Sequence, residues 1–511
     1  MTTQLERELT APAPAPAHDD SHDLESFGYK QTLRRTMSVY TSFALAFSMV
    51  SINTGIITLF SDPFAKVGGV AIWLWLLVIP GVFTIVLVYS HLAARLPVTG
   101  YAYQWSSRLA GPHLGWFTGW VALISFMAGT AAVSAGIGTV FAPEIWENPT
   151  RGQVQFLSIT ATLVVAALNI FGVRLATRVN DVGASIELGG VLLLIVALVA
   201  GLLFAFGDSN GLAILTDTTP VSGEPVTFTT VALAALLPVY VLLGWEGAAD
   251  LAEETQDPRR TAPRAMIQAV AVSGAVGFVV FVLLGAAVPG STVAFFDRPD
   301  NPVFAILRVQ IGELAGDVFV AVAFVSLFAC LIANMAVATR MIFALSRDRM
   351  LPASPLLATV NARTRTPVAA ILLVTALSVA LNFLNEGLVA KIFAIVGLTY
   401  YATYFLTMVA TVIGNRAGRI PAGPAGAYGL GRRLVPMAIL AMVWTGAVIL
   451  VLSLPEVNHE TAVTTLIALA LGFAWWLFVL RGRLARGEAG LPNREPVGAG
   501  HAATNVGFDS Q

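Results

Sequence analysis

The sequence predicts an all-α integral membrane protein with about 12 transmembrane helices, each long enough for the roughly 30 Å hydrocarbon core of a bilayer. Of the 511 residues, 56% are hydrophobic and only 12% are charged. That charged share is about half of the roughly 25% usual in soluble domains. Apolar runs of membrane-spanning length recur along almost the whole chain, and Lys and Arg concentrate on alternate connections between them. These observations exclude an ordinary soluble protein.

The predicted spans follow one another with short connections. Their approximate bounds are 38–61, 68–90, 114–142, 153–172, 182–206, 229–252, 265–289, 316–340, 367–385, 389–413, 435–454 and 461–480. If both termini are cytoplasmic, 24 of the 29 Lys and Arg residues lie on the cytoplasmic face. The positive-inside rule therefore predicts a multi-pass protein of the cytoplasmic membrane with both termini in the cytoplasm.

The two ends of the chain are predicted to be disordered. Residues 1–27 contain acidic residues and an Ala-Pro repeat, which favours extended geometry, and they lack the pattern of a cleavable secretory signal. Residues 484–511 are rich in glycine, proline and polar residues. Between these tails we expect a membrane core over 28–415 and two additional spans over 416–483.

Polar residues interrupt the first predicted span near its middle, at Ser51, Asn53, Thr54 and Gly55. Glycine permits the backbone to leave helical geometry, and the three polar side chains can hydrogen-bond the released groups. In hydrocarbon, such a break is tolerated only where it is buried in protein or lines a cavity. A carboxylate bound there would meet free N–H groups at the N-terminus of a half-helix.

The sixth span repeats this pattern at Leu243, Gly244, Trp245 and Glu246. Interrupted helices in the first and sixth positions are expected of two inverted five-helix repeats. The repeats would cover about 36–207 and 229–415. Close helix packing by small and polar residues is the alternative explanation, and the carboxylate in the second break favours a binding site.

Five local motifs carry a family resemblance. They are Gly28-Tyr-Lys-Gln-Thr-Leu-Arg-Arg, Leu96-Pro-Val-Thr-Gly-Tyr-Ala-Tyr, Gly115-Trp-Phe-Thr-Gly-Trp, Glu253-Glu-Thr-Gln-Asp-Pro-Arg-Arg and Ser346-Arg-Asp-Arg-Met-Leu-Pro. Over roughly 28–480 the chain resembles amino acid permeases of the amino acid/polyamine/organocation (APC) superfamily, particularly the branch with GABA and choline permeases. The resemblance implies a LeuT-like fold with a 5+5 inverted repeat. It also implies secondary active transport, most often coupled to protons.

The resemblance also implies roles for the residues at the two breaks. The first-helix segment would hold a substrate carboxylate through backbone groups; its residues here are Ser51, Asn53, Thr54 and Gly55. The matching sixth-helix segment is Gly244, Trp245 and Glu246, whose aromatic residue would cover the substrate and shift between states. Trp245, Tyr400 and Tyr401 are therefore the candidate gates.

Two intramembrane carboxylates have several open roles. Glu246 is a candidate for binding a substrate amine, for exchanging protons, or for bonding a neighbouring helix. Glu187 lies where some relatives use a fifth-helix lysine in place of a sodium ion, and it either shuttles a proton or packs with polar helix ends. Ser326 and Asn334 either coordinate a cation or hold helices together. We therefore favour a proton gradient over sodium as the coupling source.

Composition and motifs exclude several other functions. The net charge of −1 does not suggest a nucleic-acid partner, the single Cys330 cannot form an internal disulfide, and no metal-ligand spacing or resident cofactor motif occurs. No motif of a membrane enzyme is found. The expected partners are a small amino acid or amine and membrane lipids. An exchanger, a choline- or ethanolamine-type transporter, a channel and a nutrient sensor remain the alternatives, and the sequence does not predict the oligomeric state.

Overall fold

The computed structural model describes residues 24–204, 208–296, 301–383 and 387–492. Within these ranges the chain is helical, with an isolated bridge between Met37 and Thr255 and no β-strand. This confirms the predicted all-α fold. The predictions of disorder for residues 1–23 and 493–511 lie outside the described residues.

Ten helices in the described ranges are long and apolar enough to cross a membrane. They are Val39–Leu59, Gly69–Ala93, Pro112–Ile145, Arg151–Phe171, Arg174–Phe204, Pro258–Ala286, Glu313–Arg347, Ala394–Arg416, Gly431–Ser453 and Glu456–Ala485. The predicted sixth and ninth spans are shorter apolar helices, Phe228–Val241 and Val368–Asn382. We keep the predicted numbering of the spans, although the count of 12 stays a prediction.

Shorter helices connect the spans. They are Ser61–Val67, Tyr101–Ala110, Gly247–Asp250, Thr292–Phe296, Pro302–Ile311 and Ser354–Leu357. Tyr101–Ala110 lies against the third span and Pro302–Ile311 against the eighth. Each therefore packs against a span that is mostly buried.

The third span forms the centre of the molecule because its small residues let neighbouring helices approach. A Cβ at Gly138 would overlap Oγ of Ser158 in the fourth span, and a Cβ at Gly119 would lie only 3.0 Å from Cδ2 of Leu345 in the eighth. The eleventh and twelfth spans lie at the periphery, where Leu466 and Phe478 are among the many exposed apolar side chains. Such surfaces are suited to lipid.

Residues at both ends of the described part of the chain contribute to the packed structure. Leu24 and Phe27 are buried, and so is Leu484, although residues 24–27 and 484–492 were assigned to the tails from composition. The backbone N–H of Gly490 donates to the carbonyl of Asp348 at 2.9 Å. These residues at the edges of the predicted tails thus pack against the helical core, and the tail boundaries themselves stay predictions.

One face of the molecule is closed by buried polar contacts. We call it the N-terminal face; it comprises residues 24–37, 95–104, 250–257 and 340–350. Asp348 accepts hydrogen bonds from the hydroxyls of Tyr29 at 2.8 Å and Tyr103 at 2.7 Å and from the Gln104 amide at 2.8 Å. Burial raises the pKa of Asp348 above its ordinary value, while the nearby Arg347 lowers it. Three donors thus hold this buried carboxyl in place.

Two ion pairs join the segment that follows the sixth span to the eighth span on this face. Arg340 donates to both carboxylate oxygens of Glu254, at 2.7 and 3.3 Å, and both side chains are almost fully buried. Arg347 pairs with Glu253 at 3.0 Å, and Glu253 also accepts from the backbone N–H of Thr99 at 3.1 Å. Several spans are thereby tied together at the N-terminal face.

Removal of Arg340 is expected to destabilise this closed face. In Arg340→Ala, Glu254 keeps a buried charge with no cation, which costs about 3–5 kcal/mol in comparable buried pairs. We expect a lower free energy of unfolding in detergent, measured by chemical or thermal denaturation. The double variant Arg340→Met/Glu254→Met is expected to recover much of the loss, since apolar residues of similar size can replace buried pairs.

The exposed pair of Arg486 and Glu488 provides the matched control, and Arg486→Ala is expected to leave stability unchanged. Equal stability of Arg340→Ala and the native chain would contradict the buried pair.

Candidate functional site

The first span breaks at Ser51, as predicted. The helix Val39–Val50 ends there and Ile52–Leu59 begins, and Ser51 itself has a φ of 36° and a ψ of 90°. Its N–H donates to the carbonyl of Phe47 at 2.8 Å. Its hydroxyl accepts from the N–H of Thr54 at 3.3 Å. Ser51 therefore caps both halves of the helix, at the cost of a backbone conformation that non-glycine residues rarely adopt.

Gly55 does not form the break, contrary to its predicted use, but lies inside the second half-helix. A Cβ at this position would overlap Cγ2 of Val241 in the sixth span. The glycine is therefore needed for close approach of two helices rather than for backbone freedom.

The carboxylate of Glu187, from the fifth span, lies against the break. Its Oε1 accepts from the hydroxyl of Ser51 at 3.0 Å and from the N–H of Asn53 at 3.3 Å. Since the N–H of Gly55 donates to the Ser51 carbonyl at 3.2 Å, the N–H groups of 53, 54 and 55 all have acceptors within the protein. The half-helix terminus that the sequence assigned to a substrate carboxylate is thus occupied by a protein carboxylate.

Glu187 is fully buried. Its second oxygen, Oε2, has no hydrogen-bond partner in the described part of the chain. None of the ion pairs among the described residues includes it. An ionised carboxylate in such surroundings is costly unless a proton or another cation neutralises it.

The side chain of Asn53 connects the break to the eighth span. Its amide donates to the hydroxyl of Ser326 at 2.9 Å. Asn334, further along the eighth span, donates to the carbonyl of Cys330 at 3.0 Å. Both candidates for cation binding thus have contacts that join or brace helices.

The sixth span breaks between Val241 and Gly247. Gly244 has a φ of 91°, in the left-handed region that favours glycine. A Cβ there would lie 3.0 Å from Cβ of Met49 in the first span. The two predicted breaks are therefore packed against each other.

Glu246 and Trp245 lie in an aromatic cluster behind this break, and both are fully buried. The hydroxyl of Tyr404 donates to Oε2 of Glu246 at 2.8 Å. The ring of Tyr404 stacks on Trp245 with centroids 5.5 Å apart, and Tyr89 meets Trp245 edge-on at 5.3 Å. Sequence reasoning missed Tyr404, although it lies four residues after Tyr400 and therefore on the same helix face.

A cavity of about 80 Å³ lies between the breaks. Of the predicted residues, Thr54, Gly55, Leu243 and Tyr400 line it. The remaining lining residues are Met49, Val50, Thr58, Leu59, Gly129, Ala132, Val133, Tyr240, Val241, Cys330, Asn334 and Val396. No charged side chain is among them.

The other predicted site residues do not line this cavity: Ser51, Asn53, Glu187, Gly244, Trp245, Glu246 and Tyr401. The hydroxyl of Tyr401 donates to the Val239 carbonyl at 3.3 Å. Ser51 remains connected to the cavity, since its hydroxyl lies 2.7 Å from that of the lining residue Thr54. A hydrogen-bonded chain therefore runs from the cavity through Thr54 and Ser51 to Glu187.

A larger cavity of about 700 Å³ lies at the opposite ends of these helices from the N-terminal face. Tyr240, Thr58 and Leu59 line both cavities. Tyr240, which sequence reasoning missed, therefore lies between the outer and inner spaces; an aromatic residue just before the predicted break was the available signal. The cavity of about 80 Å³ therefore lies next to the open space of about 700 Å³, and it is closed toward the N-terminal face.

The chain matches the family model described as amino acid permease over residues 37–477. It belongs to the amino acid permease family. The permease is 26% identical to the amino-acid permease BAT1 of Arabidopsis thaliana, over 90% of this chain and 94% of the relative. It is 24% identical to amino-acid permease 2 of Neurospora crassa, over 86% of this chain and 82% of the relative.

Family membership confirms the predicted superfamily and a multi-pass amino acid transporter rather than an enzyme. The GABA and choline branch stays a prediction. Among the residues that the structure describes, no group of three or more His, Cys, Asp and Glu side chains could hold a metal ion in the permease.

We expect Gly55→Ala to impair transport, since the added methyl group overlaps Val241. Overpacking of this kind costs about 1–3 kcal/mol, and here it would push apart the half-helices that line the inner cavity. Val241→Ala removes the overlapping methyl groups, so the double variant is expected to recover uptake in reconstituted vesicles.

Gly189→Ala is the control, because a Cβ there meets nothing within 4 Å. Loss of uptake in Gly189→Ala, or no recovery in the double variant, would argue against close approach as the role of Gly55.

Proposed function

We propose that this permease is a secondary active transporter that imports a small amino acid across the cytoplasmic membrane by alternating access, with Glu187 as the proton-binding group. The observation that carries the proposal is the hydrogen-bonded chain of Thr54, Ser51 and Glu187, which joins the cavity to a buried carboxylate that forms no ion pair with any described residue. The N-terminal face is the cytoplasmic one, in agreement with the distribution of Lys and Arg.

Coupling follows from competition for one helix terminus. A substrate carboxylate at the first break would need the N–H groups and the positive end of the half-helix that Glu187 now uses. Two ionised carboxylates cannot share this position without strong repulsion. Protonation of Glu187 weakens its hydrogen bonds to the break and so favours substrate binding. By linkage, substrate binding favours protonation of Glu187. Proton and amino acid therefore move together.

The inner cavity favours a compact substrate. Its volume of about 80 Å³ is far below the roughly 300–1,000 Å³ of pockets for drug-sized ligands. Polar contacts for an amine are available from Asn334 and from the tyrosines Tyr240 and Tyr400. Glu246 has no contact with this cavity, and we assign it the role of holding Tyr404 against Trp245.

An amine without a carboxylate, such as choline or ethanolamine, is the second candidate, favoured by the two tyrosines that line the cavity. The sign of coupling distinguishes the two. A cationic substrate is attracted by ionised Glu187, so its binding would expel the proton instead of recruiting it.

The proposal is tested with the permease in liposomes and a panel of labelled amino acids and amines. An acidic exterior is expected to drive accumulation of an amino acid by up to about tenfold per pH unit, since one unit is worth about 1.4 kcal/mol per proton. Glu187→Gln is expected to lose this accumulation but to retain exchange of internal for external substrate, because glutamine can still occupy the break and cannot titrate.

Glu246→Gln is the matched comparison, and we expect it to keep the response to the pH gradient whatever its effect on rate. Unchanged gradient-driven accumulation by Glu187→Gln would overturn the assignment. Counterflow separates a transporter from a channel, and a sensor would bind substrate without accumulating it.

A further inference from the structure

Polar side chains line the interface between the first half of the first span and the fifth span. We call Thr41, Ser48, Asn180 and Asp181 the polar seam, with Glu187 at its inner end. We propose that the proton bound by Glu187 leaves toward the N-terminal face along this seam, with Asp181 as its last acceptor in the protein. The path rests on the proposed function, since it needs Glu187 to carry the proton.

Two hydrogen bonds fix the ends of the seam. At the inner end the hydroxyl of Ser51 donates to Glu187 at 3.0 Å, and toward the N-terminal face the hydroxyl of Thr41 donates to Asp181 at 2.8 Å. Thr41 and Ser51 are separated by about 15 Å along the helix at 1.5 Å per residue. The seam therefore covers the distance between the break and the N-terminal face.

Helix periodicity places the two middle residues of the seam between its ends. Ser48 follows Thr41 by seven residues in the helix Val39–Val50, and Asn180 precedes Glu187 by seven in the helix Val173–Phe204. Seven residues make about two turns, so each pair shares a helix face. Ser48 and Asn180 are thus on the faces by which the two helices contact each other.

Several buried polar atoms of the seam have no hydrogen-bond partner in the described part of the chain. Asn180 is 1% exposed and Ser48 is fully buried. Five side-chain atoms have no hydrogen-bond partner among the described residues: both amide atoms of Asn180, the Ser48 hydroxyl, Oε2 of Glu187 and Oδ1 of Asp181. Buried polar groups of this kind are usually satisfied by ordered water. The seam is therefore suited to hold water molecules that pass a proton.

The charges around the seam leave Asp181 as the proton acceptor. The first span presents no charged side chain there, and the eighth span brings Cys330 near Glu187 and Arg340, which is paired with Glu254. Arg174 and Arg178 precede Asp181 in the helix Val173–Phe204, and Arg264 lies in the first two turns of the neighbouring helix Pro258–Ala286. The proton leaves the Glu187 carboxyl for a seam water, reaches the Asp181 carboxylate and passes to bulk water.

The test compares two modes of transport by the whole permease in liposomes. Net uptake driven by a pH gradient requires the proton to leave Glu187 in every cycle, whereas exchange of labelled substrate proceeds with the proton bound. In Asp181→Asn and Asn180→Leu we expect net uptake to fall about tenfold, the effect of about 1.4 kcal/mol on a barrier. Exchange should stay near that of the native chain.

Ser48→Ala provides a second seam variant that removes one oxygen with little change in packing, and we expect it to slow net uptake in the same selective way. Asn169→Leu is the control, because Asn169 is equally buried but lies in the fourth span with its amide bonded to the Val165 carbonyl at 3.1 Å. In Asn169→Leu we expect no selective loss of net uptake relative to exchange.

Native rates of net uptake in all three seam variants would overturn the path while leaving proton coupling intact. Equal loss of net uptake and exchange would also overturn it, since that indicates a structural defect. A native permease that does not respond to the pH gradient would overturn both the proposed function and the path.

Discussion

The hydrogen bonds of the Glu187 carboxylate to Ser51 and Asn53 hold together the part of the molecule on which the rest depends. The first span can break in the membrane only if the N–H groups freed at the break find acceptors. Ser51 satisfies the N–H of Thr54, and a carboxylate from another helix satisfies that of Asn53. The contact of Glu187 with Ser51 and Asn53 therefore stabilises the break and attaches it to the fifth span. The same contact places a titratable group in a buried position.

The two faces of the permease differ in how their polar groups are used. On the N-terminal face, carboxylates are buried against arginines and hydroxyl donors, as at Glu254 and Asp348. On the opposite face, Asp62 and Glu144 line an open space of about 700 Å³, paired with Lys66 and Arg308 at partly exposed positions. In the proposed transport cycle, opening of the closed face would separate these buried pairs, a cost that substrate and proton binding would have to offset. One closed face and one open face are what the proposed alternating-access cycle expects of a state that is open to the side opposite the N-terminal face.

Much of the architecture could be predicted because lipid imposes simple rules on sequence. Apolar runs predicted the spans, and polar residues within these runs predicted the breaks at Ser51 and near Gly244. The contacts between helices were less accessible, because they depend on how one helix is rotated against another. The sequence predicted that Glu187 lies in the fifth span, but not that it contacts the break. It also indicated Gly55 as a site residue, but not the close approach to Val241 that explains why a glycine is needed there. Tyr240 and Tyr404 were missed, since a tyrosine in a helix becomes a lining or bonding residue only through its neighbours.

The proton stoichiometry of transport tests the central role of Glu187 most directly. In liposomes with the membrane voltage held at zero, one determines the pH difference that just balances a fixed gradient of a neutral amino acid. Because Glu187 is the one carboxylate among the described residues that hydrogen bonds link to the cavity, we expect one proton per substrate, so that a tenfold substrate gradient is balanced by about one pH unit. A balance point that does not depend on pH would contradict coupling at Glu187.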